Sequence, residues 1–322
     1  MKGARHRDAI VTPCPVCGGT DVTVYREGGD HELGERALGP SRRDISAGRI
    51  LRCRSCRVGF RAVLPSEESL SRLYRELDTD VYEGELPARF RTAARQLRIV
   101  SRYVGPGRLL DVGCGSGVFL RCAADLGWKV VGVEPAKAAH RSAMALLAGR
   151  GEVVPASLQD ASLAPSSFDA VTLWDVLEHV PDPPSLMERA ASLLTPAGHL
   201  FVNVPDLESL PTRLLRARWP LLLPEHLVYF NRAGLRLCGE RAGLTSIHFG
   251  RRLASFSVGY VCRRLAQHGV TGAARLESLA RWCRIDERVV SIPLGELYGI
   301  WRRPEPGLSR SSTVATDGGS RS

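Results

Sequence analysis

The chain has 322 residues, enough for one large domain with an appendage or for two domains. Its 44% hydrophobic content is ordinary for a soluble globular protein, and no apolar run reaches the roughly 18 residues that cross a membrane. The formal charge of +10 is uneven: residues 232–322 hold 15 Lys+Arg against 7 Asp+Glu, while residues 62–231 hold 17 against 20. A basic last third either meets an anionic partner or is simply a solvated face. Arginine supplies nearly all of the positive charge, a bias that genome base composition also explains. The basic stretch Met1–Asp8 lacks an apolar h-region, so a cytoplasmic location is expected.

In chain order, residues 1–61 carry Cys14-Pro-Val-Cys17 and Cys53-Arg-Ser-Cys56. Each CxxC makes a knuckle in which two thiolates grip one ion, and two knuckles complete a tetrahedral four-thiolate site. That donor set suits Zn²⁺ in a structural role, since four protein ligands leave no open position. A redox reading would need one CxxC opening a helix in a thioredoxin-like unit, and neither pair has that context. Residues 1–61 are therefore expected to form a zinc ribbon. The other cysteines, Cys114, Cys122, Cys238, Cys262 and Cys283, read as packing residues.

Residues 62–104 form a helical lead-in: one helix from an N-cap at Ser66 to about Leu77, a turn-rich stretch holding Tyr82, and a second helix over roughly Ala88–Val104. Residues 105–303 then alternate strand and helix. Strands are expected at Leu109, Lys129–Val133, Val153-Val154, Phe168–Trp174 and His199–Val204, with helices at Val118–Leu126, Ala136–Ala148 and about Pro184–Leu194. That alternation specifies an α/β fold with a doubly wound sheet. Residues 205–230 are a long apolar and basic connection, expected to act as a lid or substrate wall. A helix over Asn231–Ala242 precedes a closing hairpin, Ser246–Arg252 and Glu296–Trp301, with a basic helical insertion between its strands. Residues 304–322 read as a disordered tail.

Two strands end in nucleotide-handling elements. After the first comes Gly113-Cys114-Gly115-Ser116-Gly117, a loop where backbone can approach a ligand closely. The second ends in Glu134, placed to accept the hydroxyls of a ribose. With Asp111 at the first strand end, this combination resembles the S-adenosylmethionine site of class I methyltransferases rather than a dehydrogenase site.

The resemblance extends over roughly residues 12–303. It includes Ser167-Phe-Asp-Ala-Val171, Val176-Leu-Glu-His-Val180, Pro196-Ala-Gly198 and Glu225-His-Leu-Val-Tyr-Phe230. The whole chain looks like a Rossmann-like class I methyltransferase with an N-terminal zinc ribbon. Its narrower motifs are similar to bacterial enzymes that methylate small molecules, the ubiquinone-type O-methyltransferases and deoxysugar C-methyltransferases. The resemblance implies that Asp111, Gly113, Gly115 and Gly117 cradle the methionine end of S-adenosylmethionine and that Glu134 holds its ribose. Ser157 and Leu158 would border the adenine, although the family often has Asp in place of Ser157. Trp174 and Asp175 would face the sulfonium and the acceptor; for Trp174 a packing role weighs equally.

Methyl transfer to a hydroxyl or carbon acid needs positioning and a base. In similar sugar C-methyltransferases the pair matching Glu225-His226 is catalytic; a structural histidine ahead of Asn231 is the alternative. His179 is a second candidate base. Asp175-x-x-Glu178-His179 resembles a Glu-x-x-Glu-His cluster of ubiquinone O-methyltransferases that can hold a divalent ion, with Asp175 one methylene short; polar caps before Pro181 are the bland alternative.

The implied acceptor is a small molecule: a sugar nucleotide, a lipid-quinone precursor or a secondary metabolite. The alternative is a zinc-ribbon RNA methyltransferase, supported by the basic ends. Against it, Leu173-Trp-Asp-Val176 is not the Asn/Asp-Pro-Pro-Tyr/Phe motif used on exocyclic amines, and the ribbon lacks an aromatic-basic stacking platform. A non-catalytic cofactor-binding scaffold is a third reading. The loop Arg213–Pro224, with Leu214, Leu215, Trp219 and Leu221–Leu223, forms a pocket wall or a peripheral membrane contact.

Overall fold

The computed structural model describes residues 12–28, 48–65, 85–267 and 271–304. The expected helix over 66–77, the Tyr82 turn and the tail from 305 lie outside those residues.

Strands β1 (Val22–Arg26), β2 (Ile50–Cys53) and β3 (Gly59–Arg61) form an antiparallel meander between and after the two CxxC knuckles. Helix α1 (Leu86–Val100) follows, burying Ala93, Leu97 and Val100 on one face. The α/β alternation comes next: β4 (Arg108–Val112), α2 (Val118–Asp125), β5 (Lys129–Val133), α3 (Lys137–Leu147), β6 (Gly151–Val154), β7 (Phe168–Trp174), α4 (Pro183–Leu193) and β8 (Leu194–Pro205). Asp182 caps α4 by accepting a hydrogen bond from the Ser185 amide at 3.1 Å, with Pro183-Pro184 preset for the first turn.

The connection after β8 holds a short helix, α5 (Leu210–Leu215), and a two-residue strand, β9 (Val228–Tyr229). Helix α6 (Arg232–Arg241) begins at Asn231, whose side chain accepts from the Gly234 amide at 2.7 Å. The closing strands β10 (Thr245–Ser257) and β11 (Val289–Arg302) bracket helices α7 (Val258–Gln267) and α8 (Ala273–Trp282).

The large sheet has seven strands in the order β10-β11-β8-β7-β4-β5-β6. Strands β4 to β8 are parallel, and β11 is antiparallel to both β8 and β10. Both faces are covered, as parallel strands require. Leu110, Val112, Val171 and Leu173 point into one core, and Leu109, Val130 and Ala170 into the other. Chain order reverses between β4 and β7, so the loops after these strands share the crevice at their carboxyl ends, where open α/β sheets bind ligands.

Two expectations are corrected. Pro196-Ala197-Gly198 is not a turn ahead of the fifth strand: β8 already pairs at Leu194 with Phe168, and the residues form an irregularity within the strand. The closing strands run to 13 and 14 residues, because shifts after Ser246 and Arg252 break the alternation while pairing continues.

The ribbon is built into the main body. β3 pairs with β9 in a second, four-stranded sheet, Gly59 opposite Tyr229 and Phe60 opposite Val228. Asn231 donates to the Cys56 carbonyl at 3.1 Å, and Arg241 donates to the Val16 carbonyl. Cys14, Val16, Val58 and Phe60 share one hydrophobic core with Leu173, Leu177, Phe230 and Leu235.

Candidate active site and metal centre

The sulfurs of Cys14, Cys17, Cys53 and Cys56 all lie within 4.8 Å of one another. The Cys14–Cys56 and Cys17–Cys53 separations are 3.5 Å. That is far beyond a bonded S–S distance of about 2 Å. It approaches the edge of about 3.8 Å of a tetrahedron with metal–sulfur bonds of about 2.3 Å. The Gly19 amide points at the Cys17 sulfur at 3.4 Å, a contact that supports a thiolate. The donor set and spacing fit Zn²⁺.

The cofactor loop joins β4 to α2. Gly113, Gly115 and Gly117 all have positive φ, at 65, 54 and 77°. A Cβ on Gly113 would approach Val176 to 2.8 Å, so packing alone demands glycine there. Gly115 differs: the nearest atom to a Cβ would be Arg89 Nη2 at 3.8 Å, leaving the loop's middle open to a ligand. The Gly115 and Ala136 amides donate to the two Glu134 oxygens at 2.8 and 2.9 Å, which orients the carboxylate beside that opening. Burial raises the Glu134 pKa. Asp111 is buried beneath the loop and accepts from Thr172 Oγ1 at 2.6 Å; burial pushes its carboxyl up to about 7. The loop and Glu134 together fit the methionine and ribose ends of S-adenosylmethionine.

Leu158 is buried, and half-buried Ser157 donates to Asp160 Oδ2 at 2.7 Å, turning its hydroxyl toward the next turn of chain. Trp174 packs edge-on against Phe119 of α2, ring centres 5.6 Å apart, and its buried Nε1 has no hydrogen-bond partner among the described residues.

After β7, Glu178 and His179 meet His226, their ligand atoms within 4.8 Å of one another. Glu178 and His226 are buried, and the two imidazoles meet edge to face with centres 4.8 Å apart. His226 Nδ1 lies 2.9 Å from the Leu221 carbonyl and His179 Nδ1 lies 3.0 Å from the Glu225 carbonyl. A carbonyl only accepts, so each Nδ1 carries a proton. Burial, then Asp175, drives the Glu178 pKa well up. Glu225, also buried, contributes its backbone to this arrangement.

The set Asp175, Glu178 and His179, which resembles a divalent-ion cluster with polar caps as the alternative, is not assembled. Asp175 sits at φ 58°, a conformation rare outside glycine, and its carboxylate binds Arg252 Nη2 at 2.8 Å and accepts from Asn203. His226 takes its place in the cluster. Arg252 is buried and also pairs with Glu296 at 2.7 Å. Burial opposes the arginine's charge, but Asp175 and Glu296 outweigh it and raise its pKa. Glu296 nevertheless rises to about 7, because burial outweighs a guanidinium it shares with Asp175. Arg252, Asn203 and Glu296 gave no sequence signal beyond being polar residues on expected strands.

The ribbon buttresses this cluster. Leu227 donates to the Glu178 carbonyl at 2.8 Å, while the amide and side chain of Arg61 donate to the carbonyls of Leu227 and Pro224 at 2.9 and 2.7 Å. Trp219 is buried and donates to the Leu294 carbonyl at 2.7 Å, so this part of the Arg213–Pro224 loop packs inward. Leu214 and Leu215 point outward.

The methyltransferase-domain family matches residues 87–248, just over half of the chain and spanning the glycine loop, Glu134 and His226. The chain belongs to the class I S-adenosylmethionine-dependent methyltransferases. Among curated methyltransferases it is similar to the ubiquinone biosynthesis O-methyltransferase of Xanthomonas campestris pv. campestris. The two are 38% identical over 110 residues, 33% of this chain and 46% of that one. The same enzyme of Photobacterium profundum is 32% identical over 128 residues, 38% of this chain and 54% of that one. The chain thus spans about half the length of the curated relatives it matches. Its fold resembles a chain from the complex of the Haloferax volcanii Trm112 methyltransferase activator with a methyltransferase. The TM-score is 0.53 at 16% identity, covering 76% of this chain and 100% of that one. Among the described residues, no helix is long and apolar enough to cross a membrane.

Proposed function

We propose that this chain transfers a methyl group from S-adenosylmethionine to a small-molecule acceptor, of the class formed by sugar nucleotides, lipid-quinone precursors and secondary metabolites. The observation that carries the reading is that two groups follow neighbouring parallel strands. Gly115 and Glu134 follow β4 and β5, and Glu178 and His179, joined by His226, follow the adjacent β7. When bound, the cofactor supplies an activated methyl on a sulfonium, so the protein's task is placement and proton handling.

Glu134 and the glycine loop hold the cofactor. His226, its ring anchored through Nδ1 to the Leu221 carbonyl, takes the proton from the acceptor's hydroxyl or carbon acid. His179 and Glu178 orient and polarise that imidazole. The wall made by Trp219 and Leu221–Leu223 keeps bulk water away. The four ribbon thiolates hold a structural Zn²⁺ that takes no part in chemistry.

The test is to incubate the purified protein with methyl-labelled S-adenosylmethionine and fractionated host extract. Label is expected in nuclease-resistant small-molecule or lipid fractions. Label that disappears on ribonuclease treatment would overturn the reading. In a labelled fraction, His226→Ala should abolish turnover and leave cofactor affinity intact; retained turnover removes His226 from the mechanism.

A further inference from the structure

The helical insertion between β10 and β11 is apolar on its outer side. Helix α8 turns Ala273 and Ala280 toward the body, with Glu277 half-buried between them, while Leu276, Leu279 and Trp282 point to solvent at 53, 52 and 81% exposure. These three are spaced by i, i+3 and form one ridge. A helix that covers a core does the reverse, as α1 does with Ala93, Leu97 and Val100. Exposed Arg275, Arg281, Arg284 and Arg288 flank the ridge in sequence, against one exposed carboxylate, Glu287, and one half-buried, Asp286, in the turn after the helix. Glu277 is taken by Arg263 at 3.6 Å and Arg281 at 2.7 Å. Arg275, Arg284 and Arg288 have no ion-pair partner among the described residues.

We propose that this face docks on an anionic lipid bilayer. Trp282, Leu279 and Leu276 would enter the boundary between headgroups and acyl chains, and the arginines would meet lipid phosphates. Charge argues against a second copy as the occupant: pairing this face with itself sets arginine against arginine. Three side chains also fall well short of the roughly 800 Å² per partner of a standard interface. The insertion stands beside the cofactor site. Ser257, just before α7, donates from its amide and hydroxyl to Glu85 at 3.0 and 2.8 Å, at the start of α1. One turn further on, Arg89 reaches toward Gly115. Docking would bring the cofactor site close to the lipid surface.

The test reads binding alone and so stands or falls separately from methyl transfer. Of the five tryptophans, Trp128, Trp219 and Trp301 are buried and Trp174 is half-buried, so a change in solvent contact on binding reports on Trp282. The full chain is mixed with phosphatidylcholine vesicles containing or lacking phosphatidylglycerol, then followed by co-sedimentation and tryptophan emission. Phosphatidylglycerol vesicles should bind the protein and shift its emission to the blue, and added salt should weaken binding. Leu279→Ser/Trp282→Ser should lower vesicle affinity by about tenfold or more with an unchanged circular dichroism spectrum. Arg284→Glu/Arg288→Glu should lower it without moving the emission of the free protein. Sedimentation independent of phosphatidylglycerol, or unaffected in both double variants, overturns the proposal. A dimer in lipid-free solution that Trp282→Ser dissolves also overturns it and assigns the face to a second copy.

Discussion

Two segments outside the large sheet each carry a tryptophan among leucines and arginines, and their fates are opposite. In the 205–230 connection Trp219 is buried; in the insertion of residues 258–288 Trp282 is almost wholly exposed. The difference lies in what stands beneath. The connection meets an open strand edge, β3, and donors from Arg61, so its backbone is paired and its aromatic rings close over a core. The insertion meets the body through Ser257 and Arg263 on Glu85 and through Tyr260 stacked on Phe256, while α8 turns only Ala273 and Ala280 inward and leaves its larger side chains in solvent. Composition sets what a segment is able to bury; the neighbouring edge decides whether it does.

Removing the edge is the strongest way to break this contrast. Chelation of the ribbon metal, or Cys53→Ser, should unfold the ribbon and release the connection. Limited proteolysis should then cut within 213–224 while cleavage in the insertion keeps its rate, and methyl transfer should be lost. Arg252→Met leaves Glu296 buried without its cation and should cost about 3–5 kcal/mol in chemical denaturation. Asn231→Ala removes both the α6 cap and the bond to Cys56, and should cost about 1–2 kcal/mol.

A smaller effect is electrostatic. Glu296, on the strand beside the start of the connection, titrates near 7 in the fold and near 4.5 when unfolded. The folded state therefore binds more protons between those values, and stability falls as pH rises from about 4.5 to about 7. Glu296→Gln should flatten that slope in thermal melts across the window. The smallest effect is expected in the insertion: Leu279→Ser should change stability by less than about 0.5 kcal/mol, because the side chain is exposed and lies outside the cores. A loss of several kcal/mol there would show that the outer face has a partner within the chain.

Periodicity and glycine punctuation made the parallel sheet legible. The strands at Lys129–Val133 and Phe168–Trp174 end where the sequence places them, because apolar runs bounded by turns leave little choice. The four cysteines were legible because two knuckles carry their own geometry. Strand β9 was not, since two residues show no period and their partner lies far upstream. The partner of Asp175 was hidden for a related reason. Spacing put Asp175 with Glu178 and His179, but a buried arginine 77 residues later captures its carboxylate. His226 entered that cluster from the connection, a contact no local pattern records.

The pairing of Gly59 with Tyr229 also has a consequence for synthesis. When β3 leaves the ribosome, about 170 residues must still be made before its partner strand exists. Until then the ribbon carries an unpaired edge, a template for pairing with other chains. Early metal capture by the four thiols would hold that edge in place during the wait. The nascent chain's exposure to aggregation should therefore track metal supply more closely than the finished protein's does.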